Sequence, residues 1–296
     1  MTRILLFLGT NIAILVVAFT VMSLLGVEGV LAANGVDLNL GSLMVISLVW
    51  GMAGSFVSLA LSKFIAKRMM GARVIDSPRG DEENWLLQRV GQHAQAAGIG
   101  MPEVAVYDSP EPNAFATGAR RNNALVAVST GLLRSMDRDE VDAVLAHEVS
   151  HVGNGDMVTL ALIQGVVNAF VIFLSRVFGH FVDRVVLRNE RGYGMGYFVA
   201  VIVSQIVFGI LASTVVMAFS RRREYRADAG AARLVGAGKM ISALRSLERG
   251  VAAADPLPEQ ISAFGINNST PSRLGRLFAT HPTIEQRVAA LSALGS

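Results

Sequence analysis

Residues 137–154 read DRDEVDAVLAHEVSHVGN, and the rest of the chain is interpreted outward from them. Acidic Asp137, Asp139 and Glu140 stand ahead of apolar Val141, Val144 and Leu145, the order of a helix start followed by a buried face. On such a helix His147 and His151, four residues apart, share a face. Two imidazole nitrogens can then reach one metal ion, with Glu148 beside it. A carboxylate in that place can take a proton from a zinc-bound water, whose pKa the ion lowers to about 7. The H-E-x-x-H spacing therefore points to amide hydrolysis. With five His in 296 residues, an accidental match is expected in on the order of a few chains per thousand, so a second feature is needed.

The chain is 52% hydrophobic and 17% charged, with mean hydropathy +0.48, too apolar for an ordinary soluble domain. Four segments are long enough to cross a bilayer as helices: Leu5–Val27, Leu40–Leu61, Met157–Leu174 and Tyr197–Phe219. The first exceeds the apolar core of a signal peptide and reads as a retained anchor. The loop after it carries Glu28 and Asp37 and no Lys or Arg, whereas Lys63, Lys67, Arg68 and Arg73 follow the second. That asymmetry places the first loop outside and the chain from about Lys63 onward in the cytoplasm. The net charge is only +3 and gathers where helices leave the membrane, so the bilayer and not nucleic acid is the expected partner. There is no Cys, which excludes disulfides, thiolate metal sites and a Cys nucleophile; a metal must be held by His and carboxylates.

Four regions follow: two membrane helices in 1–65, a first soluble part with the H-E-x-x-H helix in 66–156, a pair of membrane helices in 157–220, and a second soluble part in 221–296. In the first soluble part, Asp81–Ala97 has an amphipathic pattern with Trp85, Leu86, Val90 and His93 on or near one face, and Glu103–Tyr107 and Ala124–Ser129 read as strands. Residues 112–118 between them read as an edge strand or a loop. A small sheet against helices, with the metal between, is the expected α+β arrangement. Beyond the fourth segment Ala227–Leu234, Lys239–Val251 and Thr283–Leu294 read as helices, and Asp255–Pro282 as loop.

A catalytic zinc has three protein ligands and an open position. The extended form of the motif that supplies a third His would need it at 157, where Met157 stands. Glu224 and Asp228, again four apart, are the best remaining source. Glu224 would bind the metal, and Asp228 would accept the spare ring N–H of a ligand His. The same two acids could instead be solvated partners of Arg221 to Arg223; the pairing with the first motif favours ligation. His151 precedes the third apolar segment and Glu224 follows the fourth, so two crossings are required to bring them to one side. Gln164, Asn168 and Arg176 make the third segment polar for a lipid-facing helix, which leaves a non-spanning hairpin as the alternative. At 1.5 Å per residue, the short stretches from His151 to Met157 and from Phe219 to Glu224 put the metal roughly 10 Å from the membrane boundary.

With H-E-x-x-H ahead of paired apolar segments, E-x-x-x-D directly after them and two N-terminal spans, the chain resembles the HtpX-type membrane metallopeptidases, related to the type I CAAX prenyl proteases. The resemblance covers essentially the whole length. It implies four transmembrane helices in a bacterial cytoplasmic (inner) membrane and a zincin-like (gluzincin) catalytic domain facing the cytoplasm. It also implies one Zn2+ per chain on His147, His151 and Glu224, and Glu148 as base. The expected activity is quality control of damaged or misfolded membrane proteins, with membrane proteases or chaperones as partners. Asn113, Ala114 and Phe115 resemble the segment on which an extended substrate pairs as an added strand; alone they read as a turn and a buried Phe. His281, before Pro282, resembles a His that hydrogen-bonds the tetrahedral oxyanion; alone it reads as a loop residue. The competing functions are CAAX-type proteolysis of prenylated tails and a non-catalytic membrane scaffold with structural zinc. A transporter is disfavoured by the scarcity of charge inside the apolar segments.

Overall fold

A computed structural model describes residues 20, 23–24, 26–33, 38–190, 192–253 and 279–294. The expected first span, Leu5–Val27, and most of the expected loop Asp255–Pro282 lie outside the described residues. In chain order the elements are α1 (Val27–Ala33), α2 (Leu40–Met69), β1 (Arg73–Val74), α3 (Asp81–Ala96), β2 (Glu103–Tyr107), β3 (Ala114–Arg120), β4 (Asn123–Ser129), α4 (Thr130–Ser135), α5 (Arg138–Asn154), α6 (Asp156–His180), α7 (Met195–Val235), α8 (Ala237–Ala253) and α9 (Ile284–Leu294). The described residues fall into two compact units, one drawn from 1–58 and 159–216, the other from 59–158 and 217–296.

In the first unit, α2, α6 with its continuation to Val186, and α7 are each long and apolar enough to cross a membrane. Ser47, Gly51 and Ser55, spaced four apart, form the buried face of α2. A side chain at Gly51 would lie 2.5 Å from the backbone of Ala169, so α2 and α6 meet almost backbone to backbone, the small-residue packing of membrane helices. Gln164 donates to Asn168 at 2.9 Å, which satisfies the polar pair within one helix. Phe198, Ile202, Ile206 and Ile210 make an exposed apolar stripe along α7, at home in lipid and unfavourable in water. The segment after His180 is helical as far as Val186, as a π-helical turn, because nothing from Phe181 to Val186 breaks a helix. Ala227–Leu234 is not a separate helix: α7 continues through Arg221 to Val235. The change from apolar to charged residues alters the solvent that suits the helix, not its backbone hydrogen bonds.

In the second unit a four-stranded mixed sheet has the order β1-β2-β4-β3, with β2 and β4 parallel and the outer pairs antiparallel. Residues 112–118, left open between strand and loop, form most of edge strand β3. The two faces follow the period-2 rule. Val104, Val126 and Val128 face the main core with Ala114 and Ala116, while Ala105, Tyr107, Leu125 and Ala127 face the other side with Phe115. Helix α5 opens with a reciprocal cap between Asp137 and Glu140, of the kind worth about 1 kcal/mol. Its side chains are buried from Glu140 to His147 and again from Val149 to Val152, which leaves Glu148 half-buried between them. Leu86 and Val90 of α3, Met240 and Leu244 of α8 and Leu291 of α9 share the core with α5.

Candidate metal centre

One helical turn of α5 puts His147 and His151 side by side, and the approach of α7 supplies the rest. A side chain at Gly230 would lie 2.5 Å from Ser150 Oγ, and Ala227 and Ala231 are fully buried, so small residues let α7 lie close against the motif helix. Glu224, six residues before Gly230 on the same helix, then arrives beside both imidazoles.

Four donor atoms of three residues lie close together. His147 Nε2 and His151 Nε2 are 3.1 Å apart; Glu224 Oε2 is 3.4 Å from the first and Glu224 Oε1 3.4 Å from the second. Metal–ligand bonds of about 2.0–2.1 Å in a tetrahedron give ligand–ligand edges of roughly 3.3 Å, which is the spacing found. Among the described residues, His147, His151 and Glu224 form the group able to hold a metal. Glu224 Oε2 is buried and lacks an aligned donor, although His281 Nδ1 lies 2.8 Å away. A buried carboxylate oxygen left in that state suits a cation.

Electrostatics favour the same occupant. Burial opposes a charge on either imidazole, but Asp228 and Glu224 outweigh it and raise the His147 pKa. At His151, Asp156 and Glu224 overcome burial and raise the pKa to about 10. Positive charge is thus held between the rings, as protons or as metal. Burial also raises the Glu148 pKa, against the pull of both imidazoles, and a carboxylate so shifted is a stronger proton acceptor.

The other expected residues take distinct places. Asp228 Oδ1 faces His147 Nδ1 at 3.0 Å. His281, more exposed, faces Glu224. Asn113 is tied through its backbone to Ser129, at the start of β3, and the Phe115 ring packs on Tyr107, 5.6 Å between centroids. The Phe115 side chain is on the sheet face away from α5, so β3 offers the site backbone and the small Ala114 and Ala116.

Two neighbours of the site were not foreseen. Arg287 of α9 donates to both oxygens of Asp228, at 2.8 and 2.6 Å. Its signal was an arginine four residues from buried Leu291 on an otherwise apolar face, where a charge requires a partner. Asp156 Oδ2 lies 2.7 Å from His151 Nδ1; an acid opening an apolar helix reads first as a partner for the helix dipole.

The apolar helices and this donor set define a membrane metalloprotease. The model of Peptidase family M48 matches residues 81–294. A protein named Protease HtpX from Thioalkalivibrio sulfidiphilus is 58% identical over 294 residues, covering 99% of each chain. One of the same name from Nitrosococcus oceani is 59% identical over 292 residues, 98% of each. The chain belongs to peptidase family M48. The crystal structure of S. mikatae Ste24p aligns with a TM-score of 0.57 at 19% identity, covering 94% of this chain and 67% of that one, a likeness of fold.

Proposed function

We propose that this chain is a zinc-dependent endopeptidase of a bacterial inner membrane that cuts damaged or misfolded membrane proteins on the cytoplasmic side. In this reading two N-terminal spans (1–65) and a second pair (157–220) anchor a catalytic domain made of 66–156 and 221–296. The observation that carries the chemistry is the meeting of three buried residues, His147, His151 and Glu224, whose facing donor atoms lie 3.1–3.4 Å apart, beside Glu148, the half-buried residue of an otherwise buried stretch of α5.

His147, His151 and Glu224 would hold one zinc ion. When bound, zinc supplies Lewis acidity, polarising a scissile carbonyl and making water a nucleophile at neutral pH. Glu148 takes the proton of the attacking water at its carboxylate and passes it to the leaving nitrogen. Asp228, 3.0 Å from His147 Nδ1, would take the Nδ1–H and leave Nε2 free to ligate, and Arg287 holds Asp228 in place. His281 would donate to the carbonyl oxygen as it becomes negative. The outer edge of β3, with Asn113, Ala114 and Phe115 at its start, pairs an extended substrate through backbone hydrogen bonds.

Purified wild type and Glu148→Gln, incubated with an unfolded membrane-protein substrate in zinc and then in chelator, test this. Wild type cleaves until chelator is added, and Glu148→Gln binds zinc without cleaving. Cleavage that survives in the variant, or that chelator leaves untouched, sinks the mechanism.

A further inference from the structure

Asp156 is 1% exposed, and the geometry that buries it is local and specific. In an unbroken helix each residue turns about 100°, so the fifth residue after His151 would point roughly 140° away from it. Here α5 ends at Gly155, whose φ of 70° is left-handed, a conformation glycine adopts without penalty. The chain restarts as α6 at the next residue. That single break re-aims Asp156, bringing Oδ2 to 2.7 Å from His151 Nδ1 while Oδ1 lies 3.4 Å from Arg226. A helix-start acid serving only the dipole would have no need to face a histidine or to leave solvent.

We propose that Asp156 is a positioning residue for the metal site. It accepts the Nδ1–H of His151, fixes that tautomer and turns Nε2 toward the point shared with His147 Nε2 and Glu224. Each ligand histidine then has its own carboxylate: Asp228, steadied by Arg287, for His147, and Asp156, steadied by Arg226, for His151. A neutral imidazole needs its second nitrogen protonated elsewhere if Nε2 is to ligate, and a buried carboxylate supplies that preference and raises ligand basicity. The inference rests on the zinc reading of the site and adds a residue to it.

The test uses the full chain in detergent, with zinc affinity measured by competition with a chromophoric chelator and with the absorption bands of the cobalt-substituted protein. Asp156→Ala is expected to weaken zinc binding about 10–100-fold and to shift the cobalt bands. Asp156→Asn, whose amide oxygen can still accept the Nδ1–H, loses less. Arg226→Met, which removes the support of Asp156 but leaves the His151 contact in place, loses less than Asp156→Ala. Equal zinc affinity and identical bands in the Asp156 variants overturn the proposal, as does an Arg226→Met variant that reproduces the whole loss, since Asp156 would then be only an anchor for α7. If Asp156→Ala does not fold, Asp156→Asn carries the same comparison. Wild type that binds no zinc would defeat the site reading itself, an outcome distinct from variants that bind it normally.

Discussion

Arg287→Met removes the partner of a buried charge, and the neighbouring contacts set the size of its effect. Asp228 is 2% exposed and takes two hydrogen bonds from Arg287, at 2.8 and 2.6 Å. Breaking a buried ion pair from one side costs about 3–5 kcal/mol, because the remaining carboxylate is neither solvated nor neutralised. Asp228 keeps one alternative partner, His147 Nδ1 at 3.0 Å, so the lower end applies, about 3 kcal/mol. Against a total of about 5–15 kcal/mol for a folded protein, that is a large fraction. In a chain of this size it corresponds to a fall in Tm of roughly 6–12 °C. Thermal unfolding in detergent with chelator present measures it without a contribution from metal binding. The double variant Asp228→Asn with Arg287→Met should recover most of the loss, since the lone charge and not the missing contact is what destabilises. A single variant within about 2 °C of wild type, or a double variant no better than the single, would refute the reasoning.

Two further outcomes follow from the same packing. Burial acts to raise the Asp142 pKa, but hydrogen bonds from His93 and Arg89 outweigh it and hold it at about 2. A carboxylate whose folded pKa lies below its usual value of about 3.9 stabilises the fold above that pH and loses the contribution as pH falls toward the folded value. The stability difference between wild type and Asp142→Asn is therefore about 2 kcal/mol near neutrality and shrinks between roughly pH 4 and pH 2; a difference independent of pH would refute it. Gly230→Ala puts a carbon 2.5 Å from Ser150 Oγ and 2.7 Å from Ser150 Cβ, which forces α7 off α5 at a cost of about 1–3 kcal/mol. Zinc affinity should fall with it, because Glu224 rides on the same helix, and Ser150→Gly in the same chain should restore both; unchanged affinity and stability in Gly230→Ala would count against the close approach.

The motif helix was legible because three local signals agree on it: the acidic start at Asp137, Asp139 and Glu140, the apolar face from Val141 and the histidine spacing. The strands read at Glu103–Tyr107 and Ala124–Ser129 were legible for a similar reason, as short apolar, β-branched runs between turn residues. Glu224 was reached as a candidate only by pairing two motifs, since nothing near it in sequence distinguishes a ligand from a solvated acid. Asp156 and Arg287 were missed because a buried partner is defined by what crosses it in space. The acid's local meaning is a helix start and the arginine's a polar position on the last helix. The unbroken run of α7 was missed for the opposite reason, because a sharp change in polarity looks like a boundary although the helix backbone ignores it.

The three residues able to hold a metal stand on α5 and α7, so an ion bound there would close a loop of about seventy residues and stabilise the fold as a cross-link does. This fixes an order of events during synthesis. When α5 has left the ribosome, two histidines and a base are present but no third ligand. Competence waits until α6 and α7 have both been made and the chain has returned to meet the histidines. A nascent or truncated chain that stops short of Glu224 carries the motif yet lacks the third donor.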